Sequence, residues 1–171
     1  RRRVGEKVAE EEGVPFVAFD STVACEGADI SVFLSRLADF LRSLPRPAGV
    51  LAANDEMAAH VLSAAESAGI SVPDDLAVMG IDDDELICEN TQPTLSSVAP
   101  DFERSGRLAA DLLARCIADR GKSPATMRYG ASPLVRRRST RVDAARDPRV
   151  VRALGLIRRD SCSGATVKDV M

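Results

Sequence analysis

The sequence predicts an α/β fold, a parallel sheet flanked by helices with an appendage behind it, on three observations. Short apolar runs without alternation recur at 49–53 and 76–81, the pattern of strands buried on both faces. Segments between and after them carry apolar residues at helical spacing. Glycine, proline and aspartate punctuate the junctions, as at Gly69 and at Pro73, Asp74 and Asp75. Strands alternating with helices imply parallel pairing with right-handed crossovers. A chain of 171 residues, 45% hydrophobic, can bury one core with something left over.

Taken in order, residues 2–12 read as a helix stopped at Gly13, and 14–19 as a β-prone run. The chain does not open on methionine and starts inside an amphipathic pattern marked by Val4, Val8 and Ala9, so it is expected to begin within a larger domain. Ile30, Phe33, Leu34, Leu37, Phe40 and Leu41 share a helical face, and after Pro45 and Pro47 comes the run at 49–53. Asn54 follows that strand directly and suits the N-cap of a helix carrying Met57, Ala58, Val61, Leu62 and Ala65 and ending at Gly69. The strand at 76–81 is followed by Asp82, Asp83, Asp84 and Glu85. Residues 95–98 form a short extended piece, and 102–117 a long amphipathic helix with Leu108, Leu112, Leu113 and Ile117 on one side. Two β-prone runs, 126–129 and 134–138, separated by 130–133, suggest late strands of the same body, with a hairpin at the sheet edge as one arrangement. Residues 139–146 lack periodicity and resemble a linker. Asp147 and Pro148 then open another helix with Val150, Val151, Leu154 and Ile157 as its stripe, and one more starts at 166–170.

The formal net charge of -3 argues against a chain that wraps nucleic acid through a broad basic surface. Cys25, Cys88, Cys116 and Cys162 lie too far apart for a zinc or redox motif and are expected to be reduced thiols of a cytoplasmic protein. No apolar run is long enough for a membrane span, and the opening Arg1, Arg2 and Arg3 lead into a polar helix. The single histidine, His60, sits mid-helix among alanines and reads as structural, and no glycine pattern offers a phosphate cradle. Ser105 and Gly106 lack the surroundings of a nucleophile elbow. The expectation is a protein that is not an enzyme and needs no cofactor or metal.

Ligands of open α/β sheets bind beyond the carboxyl ends of parallel strands. Two polar clusters fall there: Asn54 with Asp55, and the run Asp82 to Glu85. If their strands are neighbours, both face one crevice. A carboxylate accepts two hydrogen bonds from vicinal hydroxyls, and an asparagine both donates and accepts, which suits a neutral sugar. A plain helix cap and a solvated loop are the competing readings, and the acidic run alone also fits Mg²⁺ or a phosphoryl acceptor, for which no lysine or threonine at a following strand end completes a site. The basic run Arg136, Arg137, Arg138 and Arg141, with Arg146 and Arg149 beyond, is open to reading as a DNA contact, a strand edge or a solvated linker.

These residues, in this order, resemble a known family. The run from Gly49 to Asp55, then Ala58, Ala68, Gly69, the run from Val72 to Asp83, the run from Pro93 to Val98, and Gly106 look like the effector domain of the lac repressor family, which has the type I periplasmic-binding-protein-like fold. The resemblance frames roughly residues 1–140 and implies a sugar held between two subdomains. It assigns Arg2 to the arginine that hydrogen-bonds the sugar from the amino-terminal subdomain, and Asn54 and Asp82 to the asparagine and aspartate that contact its hydroxyls from the other side. Many such sugar binders carry a glutamine where this chain has Pro100, so that contact is not carried over.

The tail resembles a different family. Asp147, Pro148, Ala153, Leu154, Ile157, Arg158 and the run 166–170 look like the first helices of an AraC-type DNA-binding domain. The combination is similar to bacterial xylose operon regulators, in which a sugar-binding domain precedes an AraC-type reader. The resemblance implies the carboxy-terminal part of an effector domain at 1–140, truncated at its amino end, a linker at 141–147 and the incomplete start of an all-α helix-turn-helix domain at 148–171. Without the recognition helices the chain is not expected to read DNA specifically. Its partners would be D-xylose or a related neutral sugar, operator DNA through the mostly missing reader domain, and a second copy as a homodimer, with no membrane. A periplasmic sugar-binding protein of a transport system shares the fold and cleft and is the alternative. An enzyme working through the acidic loop would need an acid or base partner of matched pKa, and none is found in the sequence.

Overall fold

The computed structural model describes residues 2–20, 29–118 and 130–141, all within one unit, Arg1–Arg141. The β-prone run at 126–129, Cys25 and Cys162, and every reading beyond Arg141, including the helices at Asp147 and at 166–170, lie outside the described residues.

A four-stranded sheet has the order β1 (Ala48–Leu51), β2 (Leu76–Ile81), β3 (Ser96–Pro100), β4 (Ala131–Val135). β1 pairs with β2 and β2 with β3, both in parallel, as the alternation of elements predicts. β4 runs antiparallel to β3, so the sheet expected to be parallel is mixed at this edge. The register between them shifts at Val98 and Pro100, where proline has no N–H to give the ladder. Antiparallel pairing satisfies the outer edge of β3 as fully as a parallel partner would.

The last strand also starts and stops earlier than its β-prone residues suggest. After Val135 the chain leaves the ladder and forms a 3-10 turn, Arg138–Thr140, because its polar groups find partners on β3 and β2. Ser96 donates its backbone N–H to Ser139 Oγ at 2.8 Å, and that hydroxyl donates to the Val78 carbonyl at 2.6 Å. Ser96 Oγ accepts the Arg137 N–H at 2.8 Å and lies 2.7 Å from Thr140 Oγ1.

The helices are α1 (Arg2–Glu11), α2 (Ile30–Ser43), α3 (Asp55–Ser67), α4 (Glu85–Cys88) and α5 (Phe102–Ala118). Positive φ at Gly13 and Gly69 closes α1 and α3, with Val14 N–H returning to Ala9 O and Ile70 N–H to Ala65 O, both at 2.9 Å. Phe33, Leu37, Ala38 and Leu41 of α2 and Ala58, Val61, Leu62, Ala64 and Ala65 of α3 pack with Leu76 and Val78 of β2 into the core. In β2 full burial alternates with partial burial, so one face of the sheet is closed and the other only half covered among the described residues. The run at 14–19 forms no strand: β-propensity without a ladder partner leaves irregular chain, and Phe19 packs instead against the rings of Phe33 and Phe40 at 6.2 and 5.1 Å. His60 meets Phe33 edge-on at 5.8 Å, the structural role read from its surroundings. No described helix is long and apolar enough to cross a membrane.

Candidate functional site

The register of β1 and β2 sets the two polar clusters side by side. Leu51 pairs with Met79, and the Ala52 N–H donates to the Met79 carbonyl at 2.9 Å, so both strands run out at the same edge of the sheet, β2 two residues beyond its last pairing with β1. Asn54 and Asp82 follow those ends, and each is half-buried. Arg2 lies exposed in the first turn of α1, and no described contact joins it to either of them.

Asn54 is the N-cap of α3, its Oδ1 accepting the Met57 N–H at 2.9 Å, as the sequence suggests. Capping uses one lone pair of the oxygen and does not use the amide N–H donors. The residue after it behaves differently. Asp55, only 1% exposed, accepts the Ser97 hydroxyl at 2.6 Å on Oδ1 and the Asp84 N–H at 2.8 Å on Oδ2. Its carboxylate therefore clamps the start of α3 to β3 and to the acidic loop.

The backbone of the acidic loop is hydrogen-bonded to β3 and to the start of α3, while Asp84 and Glu85 stay exposed. Asp82 N–H donates to the Val98 carbonyl at 2.9 Å, Asp83 N–H to Ser97 Oγ at 3.1 Å, and Asp84 N–H to Asp55. The backbone turns through positive φ at Asp82 (119°) and Asp83 (53°), costly geometry for residues with a Cβ and held here by those three hydrogen bonds. Asp84 caps α4 by accepting the Leu86 N–H at 3.0 Å. Asp83 takes Arg137 Nη1 at 2.8 Å. Asp82 is thus the one aspartate of the loop whose carboxylate has no hydrogen bond or ion pair among the described residues.

Arg137 divides the basic run. Its guanidinium, 12% exposed, donates to Asp83 through Nη1, to Glu89 through Nε at 2.5 Å and to the Leu95 carbonyl at 3.1 Å, while Arg136 and Arg138 stay exposed. Burial alone would lower its pKa, but the hydrogen bonds to Asp83 and Glu89 outweigh that and hold it above the ordinary arginine value. Neither Arg137 nor the clamp of Asp55 and Ser97 was read from the sequence. Two signals pointed there: a glycine, Gly80, inside a buried strand, which marks close approach by another group, and a pair of serines, Ser96 and Ser97, in a strand facing the core.

Cys88, fully buried, stands beside Asp55, and burial first and then the carboxylate push its thiol from 9.0 up to about 12. It is inert as a nucleophile at neutral pH. The unfolded chain releases this proton near 9, whereas the folded chain keeps it to about 12. Stability is therefore expected to be unaffected by this group below pH 9 and to fall as pH rises through that window. Urea unfolding at pH 8, 9.5 and 10.5 tests this: the decline should be shallower in Cys88→Ala, and an identical slope in both proteins would contradict it. Among the described residues no group of histidine, cysteine and acidic side chains could hold a metal ion.

The profile of the periplasmic binding protein-like domain family matches residues 1–140. The xylose operon regulatory protein of Escherichia coli K12 is 38% identical over 139 residues, 80% of this chain and 35% of that protein. Among solved structures, a xylose-binding transcription activator matches with a TM-score of 0.67 and 36% identity over 83% of this chain and 37% of its own. The complex of a transcriptional regulator with cellobiose matches with a TM-score of 0.58 and 26% identity, covering 78% and 39%. The chain thus spans about a third of the length of the curated relatives it matches.

Proposed function

Because the chain belongs to the periplasmic binding protein-like domain family, we propose that the carboxyl edge of its sheet is one wall of an effector cleft for a small neutral sugar, and that sugar binding there regulates transcription. The observation that carries this reading is the position of Asn54 and Asp82 just beyond adjacent parallel strands, with the Asp82 carboxylate holding no hydrogen bond or ion pair among the described residues, on a loop whose every backbone N–H from 82 to 84 is engaged. A free carboxylate on a fixed loop accepts two hydroxyl protons without first breaking an internal bond, and it loses no loop entropy when it does so. Asn54, beyond the end of the neighbouring strand, would add amide N–H donors to a bound hydroxyl.

D-xylose or a close relative is the proposed ligand, in keeping with the sugar named for two of the similar proteins. Arg2 is proposed as a contact from the opposite wall. The tail at 148–171 is proposed as the start of an AraC-type reader that meets operator DNA, joined by a linker at 141–147, and the intact protein as a homodimer. Sugar binding can shift DNA affinity only if the closed cleft binds the sugar more tightly than the open one. The regulators among the similar proteins favour this over a transport role.

The test is calorimetric titration of the intact protein with D-xylose, D-ribose, D-galactose and lactose. One sugar should bind saturably, and Asp82→Ala should weaken it by roughly 2–3 kcal/mol, the scale of losing charged hydrogen bonds. A folded protein that binds none of the panel would sink the sugar reading. Unchanged operator affinity at saturating sugar would sink the switch.

A further inference from the structure

The geometry points to Arg137 as a positioning residue for the sugar site, acting through the acidic loop rather than by touching ligand; this rests on the sugar reading above. Arg137 enters from beyond β4, 54 residues after Asp83, and its backbone is seated on β3 by the reciprocal hydrogen bonds with Ser96 Oγ. From that fixed base the guanidinium joins Asp83, Glu89 and the Leu95 carbonyl, which belong to the loop, to the end of α4 and to the approach to β3. Asp83 is the immediate neighbour of Asp82, and both lie at positive φ.

Three aspartates in sequence repel one another, and each has a different restraint. Asp84 spends its carboxylate on capping α4, and Asp83 spends its own on Arg137. Asp82 remains free. Removing the guanidinium would leave Asp83 partly buried without its cation and release the peptide that aims the Asp82 carboxylate. The neighbouring Arg136 and Arg138, both exposed, cannot replace it without moving the chain off Ser96. Arg137 thus sets ligand affinity by fixing where a neighbour's carboxylate points.

A double-mutant cycle in the intact protein separates this from general stabilisation. Titrations with the same four sugars are run on wild type, Arg137→Gln, Asp82→Asn and the double variant. Arg137→Gln should cost about tenfold in affinity in the wild-type background and less than about twofold in the Asp82→Asn background, since a group acting through Asp82 has little to act on once that side chain is altered. Equal losses in both backgrounds, or no loss in the first, would overturn the positioning role while leaving the sugar reading intact. Absence of binding in wild type would overturn both. If Arg137→Gln does not fold, Glu89→Gln, which loosens the exposed arm of the same clamp, replaces it in the cycle, and additivity there overturns the inference equally.

Discussion

Gly80→Ala is expected to destabilise the protein by about 3 kcal/mol or more, as an overpacked core combined with a displaced hydrogen-bonded group. A Cβ built on Gly80 overlaps Asp55 Oδ1 and stands 3.1 Å from Asp55 Cγ and 3.2 Å from Asp55 Cα. A carboxylate on a loose side chain would swing aside. This one is fastened to Ser97 and to the Asp84 N–H, and its backbone opens α3, so the side chain cannot yield without releasing the loop. Urea unfolding of the intact protein, read by far-UV circular dichroism, checks it. A loss under about 1 kcal/mol would mean that the Asp55 carboxylate is free to move, against the clamp described above.

The second large effect is at Asp55 itself. Asp55→Ala leaves the Asp84 N–H and the buried Ser97 hydroxyl without their acceptor, and the expected cost is about 3–6 kcal/mol, two hydrogen bonds to a charged group at roughly 1.5–3 kcal/mol each. Asp55→Asn offers a graded comparison. Its single oxygen can still take the Asp84 N–H, and its amide then faces a Ser97 oxygen that already accepts from Asp83, so a loss of about 1–2 kcal/mol is expected. The two substitutions are read in one unfolding experiment. If Asn costs as much as Ala, it is the charge that stabilises the site, and the hydrogen-bond geometry is secondary.

Much of the fold follows from local pattern. β2 lies where the apolar run 76–81 places it, α3 starts at the residue after its asparagine cap, and α1 stops at Gly13. These features depend on residues within one turn or one strand of each other, and their physics is written in neighbouring letters. The direction of β4 and the failure of 14–19 to join a ladder depend on what lies across the sheet, which spacing does not encode.

The candidate site divides in the same way. Asn54 and Asp82 were legible because strand ends are marked by composition and because the family resemblance points to them. The groups that hold the site rigid were not. Asp55 meets Ser97 across 42 residues, and Arg137 meets Asp83 across 54, so each contact joins segments whose own sequences are unremarkable. In the arginine run, three consecutive identical letters have different surroundings: two face solvent and one is inserted among acidic partners. Only folding distinguishes them.

The stitching of the 3-10 turn to the sheet also has a mechanical consequence. Ser139 is bonded to the carbonyl of Val78 and to the N–H of Ser96, so the chain leaves this body anchored across two neighbouring strands and not from its peripheral one. Tension applied beyond Arg141 would load the bonds to β2 and β3 before it could peel β4 away. The exit works as a rivet: a load on the trailing chain is delivered to the middle of the sheet, to the same strand that leads into Asp82.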